Sequence, residues 1–386
     1  MASTPTDSNG VPLAYYEPPH SLVNMSDSTY GGLLAIGFLA TVSVLFTSVL
    51  LSFISWRMIV WRSHYNSFIG RNQSLVLIYQ LILADFLQSL GFLISFHWAA
   101  NREILGPNGA CFAQGWLIQL GDVASAFFVL AIAIHTTYQI IYGRSLQYKT
   151  FVGMLIGVWG FATLLASLAP ITSGRYVFLR AGMWCWISSE HENLRLLLHY
   201  LWIFIVQFSA IIVYIAGYWH LYRSRRSDSI MIHGPGEAAL RRASTTMLAY
   251  ALVYTVLTLP LAAGRMAAMS HDSVPDQYYL FAGALFTSSG WVDTALYALT
   301  RRTLLSAELG VAGGGGGAGG DNHNGTIRSH NIPRQSSTDS ILAQTGFANT
   351  NGIVMDRVVK IELDDMETAS NESVRKGYYV SAKAEK

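Results

Sequence analysis

Seven separate stretches of this chain are long and apolar enough to cross a bilayer as helices: Leu33 to Val60, Ser74 to Trp98, Phe112 to Tyr142, Phe151 to Ile171, Leu194 to Tyr222, Thr245 to Met269 and Tyr278 to Leu299. A hydrocarbon core about 30 Å thick takes roughly 20 residues of helix, and only helices or closed barrels satisfy their backbone hydrogen bonds within it. The stretches therefore predict an all-α membrane protein, a seven-transmembrane helix bundle. Composition agrees, with 52% of residues hydrophobic and 12% charged, against about 25% charged in soluble domains. The expected organisation is an N-terminal segment over 1–32, a bundle over 33–302 and a tail over 303–386. No cleavable signal peptide is expected, because Met1 to Gly32 contains neither Lys nor Arg.

Orientation follows from the loops, since Lys and Arg are retained on the cytoplasmic side. The first, third and fifth loops carry Arg62 and Arg71, then Arg144 and Lys149, then Arg223, Arg225, Arg226, Arg241 and Arg242. The second and fourth carry only Arg102, Arg175 and Arg180, and the sixth is acidic through Asp272 and Asp276. The N-terminus is thus expected outside and the C-terminus inside. Asn24, in an outer Asn-Met-Ser sequon, is a glycosylation candidate. The sequons at Asn72, Asn324 and Asn371 fall inside and should stay bare.

The chain has two cysteines, too few for a disulfide scaffold or a cysteine-rich zinc site. In this topology Cys111 lies at the outer end of span three and Cys185 in the loop between spans four and five, on the same oxidising face. They can pair, and the bridge would tie that loop across the bundle.

Seven spans, an outer N-terminus and that cysteine pair resemble the G protein-coupled receptors. Within that superfamily, "LILADFLQSLGFLISFHWAA", "CFAQGWLIQLGDVASAFFVLAIAIHTTYQ", "MWCWIS" and "YALVYTVLTLPLAAGRM" look like the fungal cyclic-AMP-receptor-like and carbon-sensing receptors. The resemblance covers about Leu33 to Arg302. Two places depart from the rhodopsin-like pattern. Where Asp-Arg-Tyr would close span three, this chain reads His135-Thr136-Thr137, and Asn-Pro-x-x-Tyr in span seven is replaced by Asp293-Thr294-Ala295-Leu296-Tyr297. The resemblance implies a plasma-membrane receptor without catalytic residues. It would sense a small extracellular nutrient or signal, cyclic-AMP-like or a carbon source, activate a heterotrimeric G protein α subunit and feed cyclic-AMP signalling.

Ionised groups inside a bilayer cost about 2.5–3.5 kcal/mol on insertion scales, so Asp85, Asp122 and Asp293 need reasons. The superfamily resemblance brings Asp85 towards Asp293, with Ser125, Ser289 and Tyr297 completing a polar cluster that could hold a sodium ion, waters or a shared proton. The alternative is a static hydrogen-bonded network between helices. Nearer the outer side, His97, Gln114, Gln119, Asp122, Trp186, His199 and Arg265 are candidates for a ligand pocket. For Arg265 the two readings are an anion contact and a side chain snorkelling to headgroups. His199 reads equally as a helix-packing residue. Pro260 in "TVLTLPLAAG" removes a backbone hydrogen bond from span six and is a candidate hinge.

On the inner face, His135, Arg144, Arg223, Arg225, Arg226, Arg241 and Arg242 are candidate contacts for the α subunit, and the arginines also suit anionic membrane lipids. Ser244, within "RRAS", is either a kinase site or the cap of span six. A short amphipathic helix is expected over 303–309. Beyond it, "GVAGGGGGAGGDNHNG" and a Ser/Thr-rich tail read as disordered, with Ser336 and Ser337 as phosphorylation candidates.

Other functions fit less well. A net charge of +2 offers no field for nucleic acid. All five lysines, Lys149, Lys360, Lys376, Lys383 and Lys386, lie outside the spans, which leaves no Schiff-base lysine for retinal. No span holds a His-x-x-x-His pair for a zinc hydrolase. The competing expectation is a proton-coupled small-molecule transporter relaying protons through the three aspartates, although the sequence has no evident internal repeat.

Overall fold

The computed structural model describes residues 5–6, 11–60, 72–142, 144–174, 176–227, 252–268 and 274–299. Arg241, Arg242, Ser244, Ser336, Ser337, the helix expected over 303–309 and the tail lie outside the described residues. The described chain forms the expected all-α seven-helix bundle. Five of its helices are long and apolar enough to cross a membrane, and a sixth apolar helix is described over Leu252–Ala268.

Span one is Asp27–Ile59 and starts earlier than its apolar stretch, because Ser26 caps it by accepting the Thr29 amide at 3.3 Å and Asp27 occupies the first turn. Span two runs over Gln73–Leu93 and continues after Ile94 as Ser95–Asn101, with Asn72 accepting the Leu75 amide at 3.3 Å. Spans three and four are Gly109–Tyr142 and Tyr148–Ser173. Span five opens as a single turn over Glu192–Arg195, passes through a wider π turn at Leu196–Tyr200 and continues as Leu201–Ser227. Span seven is Asp276–Thr287 followed by 289–299. At its break, Thr287 and Ser288 turn their hydroxyls back onto the carbonyls of Gly283 and Ala284 at 2.7 and 2.9 Å, which loosens a helix locally.

The core is centred on span three, where Val123, Ala124, Ala126, Phe128, Ile132 and Ala133 are fully or almost fully buried. Phe38, Val49, Ile156, Ile171, Phe208 and Ile212 are instead exposed on the outside of the bundle. An apolar exterior is stable only against lipid, so the burial pattern supports the membrane reading.

The outer face is more ordered than a set of plain loops. Strands β1, Phe178–Arg180, and β2, Cys185–Ile187, pair antiparallel with Leu179 opposite Trp186. The N-terminal segment lies over this face. Leu22 and Ile104 exchange backbone hydrogen bonds at 2.8 and 2.9 Å, and the Ser21 hydroxyl donates to the carbonyl of Gly106 at 3.2 Å. Asn24 is exposed there with φ 62°.

Candidate functional site

The β1–β2 hairpin is fastened at both strands. Cys185 of β2 is bonded to Cys111 at the outer end of span three, with 5.1 Å between the Cα atoms. One turn further along that span, the Gln114 carbonyl oxygen accepts from the Cys185 amide at 2.9 Å and from the Trp98 indole at 2.8 Å. The Gln114 amide donates to the carbonyl of Gly91 at 3.3 Å. Span three therefore holds the hairpin and the outer end of span two through one buried glutamine. Trp184 settles over span seven against Gly283, where a Cβ would come within 2.6 Å of the indole.

Beneath Trp186 lies a polar layer. Gln119 accepts from the Trp186 indole at 2.8 Å and donates to the carbonyl of Leu198 at 2.8 Å. Asp122 and His199 meet at 2.9 Å, both almost fully buried. Among the described residues, the second oxygen of Asp122 and Nδ1 of His199 are buried with no hydrogen bond within 3.5 Å, and the buried Tyr254 hydroxyl lies close to Asp122. The His199 ring sits edge-on to Trp186 and Tyr200 at 4.9 and 5.0 Å between centroids. The π turn gives one reason for this arrangement, since the extra residue in the turn rotates His199 relative to a regular helix.

Arg265 does not snorkel. Its guanidinium turns inward, donates to the carbonyl of Ala181 at 2.5 Å and lies over the rings of Tyr279 and Trp184 at 4.4 and 5.5 Å. His97 is exposed beside Asn101, away from this layer. Gln114 and Gln119 have their amide groups engaged in holding the hairpin and span five. Arg195, not among the candidates named from the sequence, donates to the carbonyl of Ile187 at 2.8 Å and lies 5.6 Å from the Trp186 ring. Its signal was present in "NLRLLLHY", an arginine four residues before His199 at the head of an apolar run.

Deeper in the bundle, the Ser125 hydroxyl donates to Asp85 at 2.8 Å, and Asp85 and Asp293 are close enough to interact. Apart from their contact with each other, one oxygen of each carboxylate is buried with no hydrogen bond to another described residue. Oxygen donors of this kind fit a monovalent cation or a shared proton, either of which would relieve the repulsion between the acids. Ser289 bonds instead to Gln88 at 3.3 Å. Tyr297 packs with Leu50, Ile54 and Ile82 near spans one and two. The Pro260 carbonyl accepts from the hydroxyl of Tyr278 at 2.6 Å, which ties span six to span seven one turn beyond the Val256 carbonyl that the proline leaves without its helical donor.

At the inner end His135 is fully buried, so in this conformation its side chain faces span two and not the inner surface. Its Nε2 lies 2.9 Å from the Gln73 oxygen and 3.3 Å from the Gln139 amide, and Gln73 donates to the carbonyl of Leu146 at 2.7 Å. The shorter contact, with Nε2 donating to Gln73, ties span three to span two, and the Gln73 amide extends the tie to the second inner loop, at the place where other receptors carry Asp-Arg-Tyr. Arg144 and Arg223 are exposed at this end, and Arg225 and Arg226 lie in the last turn of span five.

The fold is similar to that in the crystal structure of squid rhodopsin, with a TM-score of 0.61 at 15% identity, covering 78% of this chain and 93% of that one. Among curated proteins, the chain is 30% identical to the ascaroside receptor GPR3 of Arthrobotrys oligospora over 43% of its own length and 41% of that protein's. It is 27% identical to the ascaroside receptor GPR2 of the same fungus, over 39% and 38% of the two lengths. The matched region spans about two-fifths of each of these relatives. Residues 58–293, more than half of the chain, match the 7 transmembrane receptor (rhodopsin family) description. Such receptors respond to an extracellular ligand through a G protein and are not enzymes, and this multi-pass membrane protein belongs to the rhodopsin-type seven-transmembrane receptor family.

Proposed function

We propose that the protein is a plasma-membrane receptor for a small extracellular signal, bound in the polar layer beneath the β1–β2 hairpin, and that it activates a heterotrimeric G protein α subunit. The observation that carries this reading is the Asp122–His199 pair with its unpartnered oxygen and nitrogen. Burying a polar atom without a hydrogen bond is costly, so a ligand that bonds to this oxygen and nitrogen gains affinity from them. The two ascaroside receptors make ascarosides the first ligand class to try, with cyclic AMP and carbon sources from the earlier resemblance as the next. In the signalling state, ligand and α subunit would each favour an open inner face, so each would raise the other's affinity.

A G protein reporter cell expressing the full chain tests this with a panel of ascarosides, cyclic AMP and sugars. One class should evoke a dose-dependent response, and Asp122→Asn or His199→Gln should lower its potency by roughly ten-fold, the cost of one charged hydrogen bond, at unchanged surface level. Unaltered potency in both variants, or silence to the whole panel, would overturn the proposed site.

A further inference from the structure

Arg195 and Arg265 are 6% and 5% exposed, yet neither lies within 4.0 Å of a carboxylate among the described residues. Each uses its guanidinium for one backbone carbonyl, Ile187 for Arg195 and Ala181 for Arg265. The Ala181 carbonyl lies at the turn of the hairpin and the Ile187 carbonyl at the end of β2, and the two guanidiniums lie over neighbouring tryptophans, Arg195 over Trp186 of β2 and Arg265 over Trp184 just before that strand. The Arg265 guanidinium also stacks over the ring of Tyr279 at 4.4 Å. The buried Asp122 is engaged by His199, and Glu192, three residues before Arg195, forms no ion pair with it within 4.0 Å.

Buried charges in proteins are ordinarily paired. A guanidinium offers five donors in a fixed fork suited to carboxylate or phosphate oxygens, and among the described residues each of these two uses one of them on a carbonyl. The surplus positive charge sits between spans five, six and seven, roofed by aromatic rings, and so calls for an anion attached to an apolar body. We infer that Arg195 and Arg265 together bind the anionic group, a carboxylate or phosphate, of a soluble small-molecule ligand. Asp122, on the far side of Trp186, would then take a hydroxyl or amine donor of the same ligand. This inference rests on the proposed ligand site and adds the chemical class of its occupant.

Binding is read without any G protein, so failure here is distinct from failure to signal. Full-length protein in neutral phosphatidylcholine nanodiscs is titrated with indole-3-acetate and with inorganic phosphate, and the thermal midpoint is followed. Indole-3-acetamide, its uncharged counterpart, is the control. At least one anion should raise Tm in a saturable way while the amide does not. Arg195→Gln and Arg265→Gln should each weaken the apparent affinity by about ten-fold or more, and the lysine replacements should restore part of it. The unliganded Tm of each variant reports whether it folds, and the lysine forms keep the test open where a glutamine form does not. Equal stabilisation by the amide, no shift with either anion, or stabilisation appearing only when phosphatidylglycerol replaces the neutral lipid would overturn the inference. The last result would assign the arginines to a lipid headgroup.

Discussion

Replacing Cys185 with alanine is expected to lower the amount of folded receptor at the cell surface by about ten-fold, with Cys111→Ala doing the same and the double variant no worse than either. Closing a loop of this length contributes on the order of 2–4 kcal/mol, across a separation of 74 residues. The larger consequence is positional. The bridge lies beside the Gln114 clamp, and together they hold the hairpin whose carbonyls engage Arg195 and Arg265 and whose Trp186 bonds to Gln119. Without the bridge, two glutamine hydrogen bonds, from the Cys185 amide to Gln114 and from the Trp186 indole to Gln119, each worth about 1 kcal/mol, are left to seat β2 on span three. Surface labelling and the thermal midpoint of purified protein both read the outcome. Wild-type values in both single variants would show that the hairpin holds itself in place without the bond.

Gly121→Ala is expected to cost comparable stability, against the usual sign. An alanine in a helix is ordinarily favoured over glycine by about 1 kcal/mol. At Gly121, however, a Cβ would lie 2.6 Å from the backbone nitrogen of Gln88, 2.7 Å from its Cβ and 2.8 Å from its Cα. Those atoms belong to the framework of span two, so the new methyl can be accommodated only by moving spans two and three apart. Overpacking of this kind costs roughly 1–3 kcal/mol and sometimes more. The separation would also draw Gln88 from Ser289 and Asp85 from Ser125. Gly157→Ala on span four, with nothing within 4 Å of its added Cβ, is the matched control and should keep a wild-type midpoint. Thermal unfolding of the three proteins in one detergent decides the matter, and an unshifted Gly121→Ala would mean that the two spans do not meet this closely.

The spans were legible because hydrophobic length is a strong and local signal, whereas helix ends depended on single side chains. Ser26 extended span one beyond its apolar stretch by capping it. The cysteine pairing was legible once loop charge had fixed which ends share a side. The hairpin was not, because "FLR" and "CWI" are short, interrupted by Gly182 and indistinguishable by pattern from an ordinary loop. Among the polar candidates, residue type located the layer but not the roles within it. Gln114 and Gln119 look like free donors in the sequence and prove to be brackets, and His135 turns inward to Gln73. Arg265 carried two readings, and its inward turn depends on the Ala181 carbonyl and the Tyr279 ring, both distant in sequence. Such pairings are settled by packing between helices, which periodicity does not encode.

Nucleotide exchange on a G protein, the activity proposed for this bundle, can be followed without a ligand screen. Purified full-length protein in nanodiscs is mixed with candidate fungal α subunits, and GTPγS loading is followed with and without ascarosides. A form carrying Arg144→Glu and Arg223→Glu, both exposed at the inner end, serves beside a form lacking residues 223–242. The account predicts at least ~5-fold faster loading of one α subunit, in line with ordinary coupling energies, reduced in both altered forms while the Tm of the double glutamate variant is kept. Loading that stays at the spontaneous rate with every α subunit, in the presence and absence of ligand, would contradict it.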